Sequence, residues 1–228
     1  MKLIDLTHTL KKDVPCWNDG CGFESHLLLD HQQCTTKTNF RILEFKMKGG
    51  IGTHMDAPLH CIPGAKDIAR IQIQDFFVPL HVIDVSMFAH ADYLLDIQEI
   101  NHYEKKNGLI QKNSFVAIYT GWSLKWHDKT AYRNEDINHK MHFPGLSVKA
   151  AEFLVEREVI GLGIDTLSPD GTNDDFPVHQ ILLGQGKYIV ENLAHLDQIP
   201  IIGASIIVLP LKIEGATESP IRAIGVIF

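Results

Sequence analysis

Six short runs rich in β-branched and aromatic residues recur along the chain: Ile42 to Met47, Leu80 to Val85, Phe115 to Tyr119, Val159 to Ile164, Ile206 to Leu211 and Ile221 to Phe228. Runs of this length suit strands and are too short for most helices. Helical patterns fill intervals between them. Asp96 with Glu99 forms a capping-box pattern, and Asn107-Gly108 reads as the stop. Ser147 stands where an N-cap belongs, ahead of Val148, Ala151, Leu154 and Val155 at helical intervals. Strands interleaved with helices predict an α/β fold, with the helices packed on a mixed sheet. No repeat or low-complexity linker divides residues 1–228, and a single domain is expected.

Composition narrows the function classes. Formal net charge is -7, and the adjacent basic pairs Lys11-Lys12 and Lys105-Lys106 each neighbour an acidic residue. Nucleic acid and anionic membrane partners therefore lack electrostatic support. The apolar stretch Ile199 to Leu211 contains Pro200, Gly203 and Ser205 and is too short to span a bilayer. The N-terminus carries charges where a secretory leader needs an apolar core. Cys16, Cys21, Cys34 and Cys61 show no CxxC spacing and read as reduced thiols, so a cytoplasmic location is expected. The polar stretch Lys125 to Pro144 reads as a surface loop, either a lid, a subunit contact or a plain solvated excursion.

Chemistry concentrates in Gly52-Thr53-His54-Met55-Asp56-Ala57-Pro58-Leu59-His60. On an extended segment His54 and Asp56 face the same side, because side chains alternate with period two. Imidazole beside carboxylate suits a divalent ion such as zinc or manganese. Pro58 favours a turn that swings His60 back over the same place. Gly49, Gly50 and Gly52 allow close backbone approach or sharp bending. The competing reading is a buried, hydrogen-bonded His–Asp pair at a strand end. A second cluster pairs His179 with Glu191, which is flanked by Ile189, Val190 and Leu193. A glutamate in such a run needs a partner, whether a metal, an arginine or a lysine.

Together these segments resemble the cyclase family of metal-dependent hydrolases, the group of kynurenine formamidase and isatin hydrolase. The family motif is His-x-Gly-Thr-His-x-Asp-x-Pro-x-His; here the chain reads Gly50-Ile51-Gly52-Thr53-His54-Met55-Asp56-Ala57-Pro58-Leu59-His60. Asp5 to Leu10 with Pro15 and Trp17, then Thr120-Gly121-Trp122, then Gly163 to Asp170, resemble further family segments in the expected order. The resemblance implies a swivelling β/β/α domain that assembles as a homodimer or homotetramer. It assigns His54 and Asp56 to a metal, Asp56 as a bridge where two ions are bound, His179 to the second ion and Glu191 to both. His60 would be the general acid–base. The cofactor implied is a divalent metal, zinc or manganese, at one or two ions per chain.

Gly50 departs from the pattern, because the family has its first histidine there, a ligand of the first metal. Three outcomes follow. The site holds one ion gripped by Asp56, His179 and Glu191; or it holds two, with Cys61, Cys34, His81 or a water replacing the missing ligand; or catalysis is lost. The intact positions elsewhere favour the first two. The implied reaction is arylformamidase-like hydrolysis of a small amide, formamide, lactam or ester by metal-activated water. The alternatives are a catalytically impaired metal- or ligand-binding protein, and a cyclase or dehydratase using the metal as a Lewis acid. Trp17, Phe23 and Trp122 are expected either to wall the pocket of a small aromatic substrate or to pack in the core. Thr53 and Ser168 are expected to orient ligands by hydrogen bonds.

Overall fold

The computed structural model describes residues 1–18 and 22–228. Cys21, read above as a reduced thiol, lies outside the described residues. In chain order the regular elements are β1 (Lys2–Asp5), β2 (Phe23–Leu29), β3 (Ile42–Met47), β4 (His54–Asp56), β5 (Phe77–Asp84), β6 (Leu94–Leu95), α1 (Ile97–Asn107), β7 (Phe115–Tyr119), α2 (Lys129–Arg133), β8 (Gly145–Leu146), α3 (Val148–Glu156), β9 (Gly161–Ile164), α4 (Pro177–Gly184), β10 (Tyr188–Glu191), β11 (Ala204–Pro210) and β12 (Glu218–Ile227). The principal sheet runs β1-β12-β11-β5-β7-β9-β10-β4, and a further pairing of β4 with β12 closes seven of these strands into a ring. β5, β7, β9 and β10 are mutually parallel; the remaining neighbours are antiparallel. The expected mixed sheet is thus present, curled into a barrel.

Alternation along the strands sorts the core into two parts. Leu80, Val82, Phe115, Ala117, Tyr188, Val190 and Ile206 belong to the first apolar cluster, the filling of the barrel. Ile83, Val116, Ile118, Leu162, Ile164 and Ile189 belong to a second, shared with Ile100 of α1, Ala151 and Leu154 of α3, and Leu182 of α4. The parallel strands are buried on both faces, and for that reason they read as nearly continuous apolar runs. Gly163 makes room inside: a Cβ there would come within 2.6 Å of Leu193 and 2.7 Å of Phe115.

Both anticipated caps form. The Asp96 amide donates to Glu99 at 2.9 Å, and Ser147 Oγ accepts from the Ala150 amide at 3.1 Å. Gly108, at φ +89°, ends α1. Other expectations need revision. Ile42–Met47 is a strand, yet among the described residues it pairs only with β2, in a two-stranded ribbon, and is exposed along its length. The stretch Lys125 to Pro144 is not merely a solvated loop. It contains α2, and Tyr132 and Phe143 within it are fully buried beside Trp122 and Leu167. No helix among the described residues is long and apolar enough to cross a membrane.

Candidate metal centre

Strand register builds the centre. β4 lies between β10 and β12, with Glu191 opposite His54, Ile189 opposite Asp56, and Glu218 also opposite Asp56. Residues directly opposed across a ladder share a face, as do His54 and Asp56 two positions apart. Met55, between them, points instead into the barrel core. Four chemistry-bearing side chains (His54, Asp56, Glu191 and Glu218) therefore converge on the outer face of the barrel. Helix α4 brings the fifth, His179.

Both imidazoles are held at Nδ1. His54 Nδ1 lies 2.9 Å from the Gly52 carbonyl, and Asn192 Nδ2 donates to that same oxygen at 3.0 Å. Gly52 adopts φ +65°, and a Cβ there would strike Leu10, so only glycine fits this bend. His179 Nδ1 meets Asp170 Oδ2 at 2.5 Å. Asp170 also accepts the amides of Val178 at 2.7 Å and His179 at 3.3 Å, satisfying two otherwise orphaned donors in the first turn of α4. An acceptor at Nδ1 directs the proton there and leaves Nε2 as the donor atom for a metal.

Each Nε2 then faces two carboxylates. His54 Nε2 lies 3.5 Å from Asp56 Oδ1 and 3.3 Å from Glu191 Oε2. His179 Nε2 lies 3.6 Å from Asp56 Oδ2 and 3.3 Å from Glu191 Oε1. Asp56 is 1% exposed, and neither of its oxygens has a hydrogen-bond partner among the described residues. A buried carboxylate with four unused lone-pair sites is costly unless a cation completes it. Ligands about 2.1 Å from one tetrahedral ion sit roughly 3.4 Å apart, which these separations match. Two donor sets form, His54 with Asp56 and Glu218, and Asp56 with His179 and Glu191, sharing Asp56. The residues present therefore fit a divalent ion.

The electrostatics agree. Burial opposes charge on His54, but the Asp56 charge and the Glu191 hydrogen bond outweigh it and push its pKa up to about 10. His179 is likewise raised despite burial, through Asp170, Asp56 and Glu191. The two imidazoles hold Glu191 below the usual carboxylate range against its desolvation. Cationic character is what this face is built to receive.

His60 ends a short 3-10 turn that starts at Pro58, as anticipated from the proline. Its ring centroid lies 5.9 Å from that of His179, and its Nδ1 lies 3.5 Å from Glu218 Oε2. These groups line a cavity of about 730 Å³ whose apolar walls include Trp17, Ile51, Leu167 and Phe176. Trp17 stacks obliquely on Phe176 with centroids 5.6 Å apart. Of the three aromatic residues proposed for the wall, Trp17 alone reaches it. Phe23 stacks on Phe45 and packs beside Val14 and Ile51. Trp122 is 5% exposed, gives its indole N–H to the Tyr132 carbonyl and belongs to a separate cluster.

The structure brings together His54, Asp56, His60, His179 and Glu191, all anticipated. Of the side chains offered as substitutes at Gly50, two lie away from the site. His81, on β5, is hydrogen-bonded through Nδ1 to the Tyr103 hydroxyl of α1 at 2.8 Å, and Cys34 accepts the Phe40 amide at 3.1 Å. Cys61 lines the cavity but belongs to neither cluster of donor atoms that could hold an ion among the described residues. Thr53 and Ser168 do take part in local hydrogen bonds: Thr53 Oγ1 donates to the Asn192 carbonyl at 2.6 Å, and Ser168 Oγ accepts from the Asp170 amide at 3.2 Å. Two residues were missed, Asp170 and Glu218. Asp170 was legible only as part of a family-like run, and Glu218 gave no sequence signal, standing in Thr217-Glu218-Ser219-Pro220, which looks like a turn.

Known proteins share this architecture. The family model described as putative cyclase matches residues 4–171. An isatin hydrolase from Roseibium aggregatum is 35% identical over 188 residues, 77% of this chain and 71% of that protein. A kynurenine formamidase from Bacillus cereus is 26% identical over 222 residues, 97% of this chain and 95% of that one. Isatin hydrolase A from Ralstonia solanacearum superposes with a TM-score of 0.91 at 30% identity, covering 100% of this chain and 92% of its own. Isatin hydrolase A from Labrenzia aggregata, bound to benzyl benzoate, gives 0.90 at 31% identity, covering 99% and 93%. Sequence match, closed mixed sheet and superposition agree: the chain belongs to the cyclase family.

Proposed function

We propose that this chain hydrolyses a small aromatic amide, formamide or lactam, or the corresponding ester, with one or two divalent ions held by His54, Asp56, His179 and Glu191. The observation that carries this reading is Asp56, buried and, among the described residues, without a hydrogen-bond partner for either oxygen, between two imidazole Nε2 atoms. The chain is a metal-dependent hydrolase by family, and its relatives include proteins named isatin hydrolase and kynurenine formamidase. Imidazole and carboxylate donors suit zinc or manganese. Such an ion, once bound, lowers the pKa of a water ligand from about 15.7 to about 7 and polarises the substrate carbonyl.

The side chains supply the rest. Trp17 and Phe176 form an apolar wall for the aryl group. His60 turns Nδ1 towards Glu218, leaving Nε2 to take the water proton and return it to the leaving nitrogen. The Glu218 hydrogen bond is the main reason the His60 pKa is raised, which strengthens it as a base. General acid–base help of this kind is worth about 10² to 10⁴ in rate.

Self-association as a homodimer or homotetramer belongs to the same reading. The β2–β3 ribbon exposes Leu27, Leu28, Leu43 and Phe45, a patch that a second copy would cover. The thiols of Cys34 and Cys61 are consistent with a reducing, cytoplasmic setting.

The test is a panel of formanilides, aryl lactams and aryl esters turned over in ¹⁸O-labelled water, with and without chelator. Hydrolysis places one labelled oxygen in the carboxylate product, stops with chelator and returns with zinc or manganese. A cyclised or dehydrated product without label contradicts the proposal.

A further inference from the structure

Gly50 and Glu218 occupy one another's space. A Cβ at Gly50 would approach Glu218 Oε1 closer than the 3.0 Å that real side-chain carbons respect, and would lie 3.3 Å from His54 Nε2. Gly50 does not have a positive φ, so glycine here is a matter of room rather than backbone freedom. The void beside the His54 imidazole, where a side chain at position 50 would stand, is filled instead by a carboxylate from β12. Gly49 helps: a Cβ there would meet the Glu218 backbone oxygen at 3.0 Å.

We propose that Glu218 is a metal ligand, completing with His54 and Asp56 an ion site that the glycine at position 50 would otherwise leave open. Three observations carry this, and all rest on the metal-dependent reading above. Donor atoms of His54, Asp56 and Glu218 lie within 4.8 Å of one another. Asp56 Oδ1, the oxygen facing His54, is buried and without a hydrogen-bond partner among the described residues. The ladder pairing of Glu218 with Asp56 fixes the carboxylate on the metal-facing side of the barrel.

The consequence is a change in donor chemistry. Each ion then meets one imidazole and two carboxylates, from Asp56 and Glu218 on one side and from Asp56 and Glu191 on the other. Replacing an imidazole by a carboxylate makes the first site harder and more anionic, which moves its preference from zinc towards manganese. Glu218 has a second role through its other oxygen. Oε2 faces His60 Nδ1 at 3.5 Å, so one side chain ties the ion to the general acid–base.

The test is metal stoichiometry and affinity of the purified chain by elemental analysis and by calorimetric titration with Mn²⁺ and Zn²⁺. Wild type binds two ions per chain. Glu218→Ala keeps one ion, at the His179 set, and binds the other at least tenfold more weakly, since disturbing outer partners of a metal already costs about 10–100-fold. Glu218→Gln, equal in size, preserves the fold and shows the same ranking should the alanine variant not fold. Gly50→His alone lowers metal binding through the clash, whereas Gly50→His with Glu218→Gly restores two ions and shifts the first site towards zinc. Two ions bound by Glu218→Ala at wild-type affinity overturn the inference and leave the hydrolase reading standing. A wild-type stoichiometry of one, unchanged in Glu218→Ala, does the same. A wild-type chain that takes up no ion overturns both.

Discussion

Asp170→Asn isolates the support beneath one metal ligand. The Asp170 carboxylate accepts three donors with its two oxygens: the Val178 amide at 2.7 Å, the His179 amide at 3.3 Å and His179 Nδ1 at 2.5 Å. Asparagine keeps one acceptor oxygen, enough for the Val178 amide, and turns an NH₂ towards the two remaining donors. His179 Nδ1 can then stay bonded only by giving up its proton, which moves to Nε2 and faces Asp56. In that tautomer Nε2 cannot bind metal. Loss of such an orienting partner weakens metal binding about 10–100-fold, roughly 1.4–2.8 kcal/mol. Two charge-assisted hydrogen bonds are also removed from a buried place, so the metal-free protein loses about 2 kcal/mol of stability. Competition with a chromophoric chelator measures the first effect, and urea unfolding of the metal-free chain the second. Far-ultraviolet circular dichroism checks that α4 persists. Metal affinity within twofold of wild type, in a variant that folds, would refute the argument that Asp170 sets the His179 tautomer.

Three further outcomes are expected. His60→Ala lowers kcat about 10²- to 10⁴-fold while bound metal stays at the wild-type level, and elemental analysis of the inactive variant checks that His60 moves protons and does not bind metal. Glu104→Gln probes the α1–α3 pair, in which Arg157 donates to both Glu104 oxygens at 2.7 and 2.8 Å and holds that carboxyl below its ordinary 4.5. A lowered folded-state pKa adds stability that is complete above 4.5 and lost as pH falls through the lowered value. The variant is therefore about 1–3 kcal/mol less stable at pH 7, and the gap closes in acid; a gap that stays constant down to pH 2 contradicts the assignment. Gly163→Ala forces a methyl against Leu193 and Phe115 within the barrel and costs about 1–3 kcal/mol, read as a lowered denaturation midpoint.

Much of this was legible in the sequence because it depends on local periodicity. The six β-rich runs all form strands, with ends displaced by a few residues: Leu80 to Val85 begins earlier, at Phe77, and Ile221 to Phe228 begins at Glu218. The period-two placement of His54 and Asp56, and the oddity of Glu191 among apolar neighbours, are local signals that survive folding. What failed was what depends on partners. Ile42–Met47 has strand chemistry, but nothing in its residues says that it leaves the barrel to form an exposed ribbon. Lys125 to Pro144 is polar on average, and the average conceals Tyr132, whose hydroxyl reaches the Asp165 carbonyl and Asn192 Oδ1, both at 2.9 Å. Trp122 and Phe23 are aromatic in either a pocket or a core, and only tertiary placement distinguishes the two. Glu218 is the clearest case. Its position opposite Asp56 follows from closure of the barrel across 162 residues of sequence, a register that no window of the chain contains.

Elemental analysis of metal per chain, on protein purified without affinity tag or chelator and then reconstituted with zinc or manganese, tests the central claim most directly. The account predicts two ions per chain, one on each donor set that shares Asp56. No bound ion after reconstitution would contradict it, leaving the buried carboxylates of Asp56 and Glu191 without the cation their geometry requires.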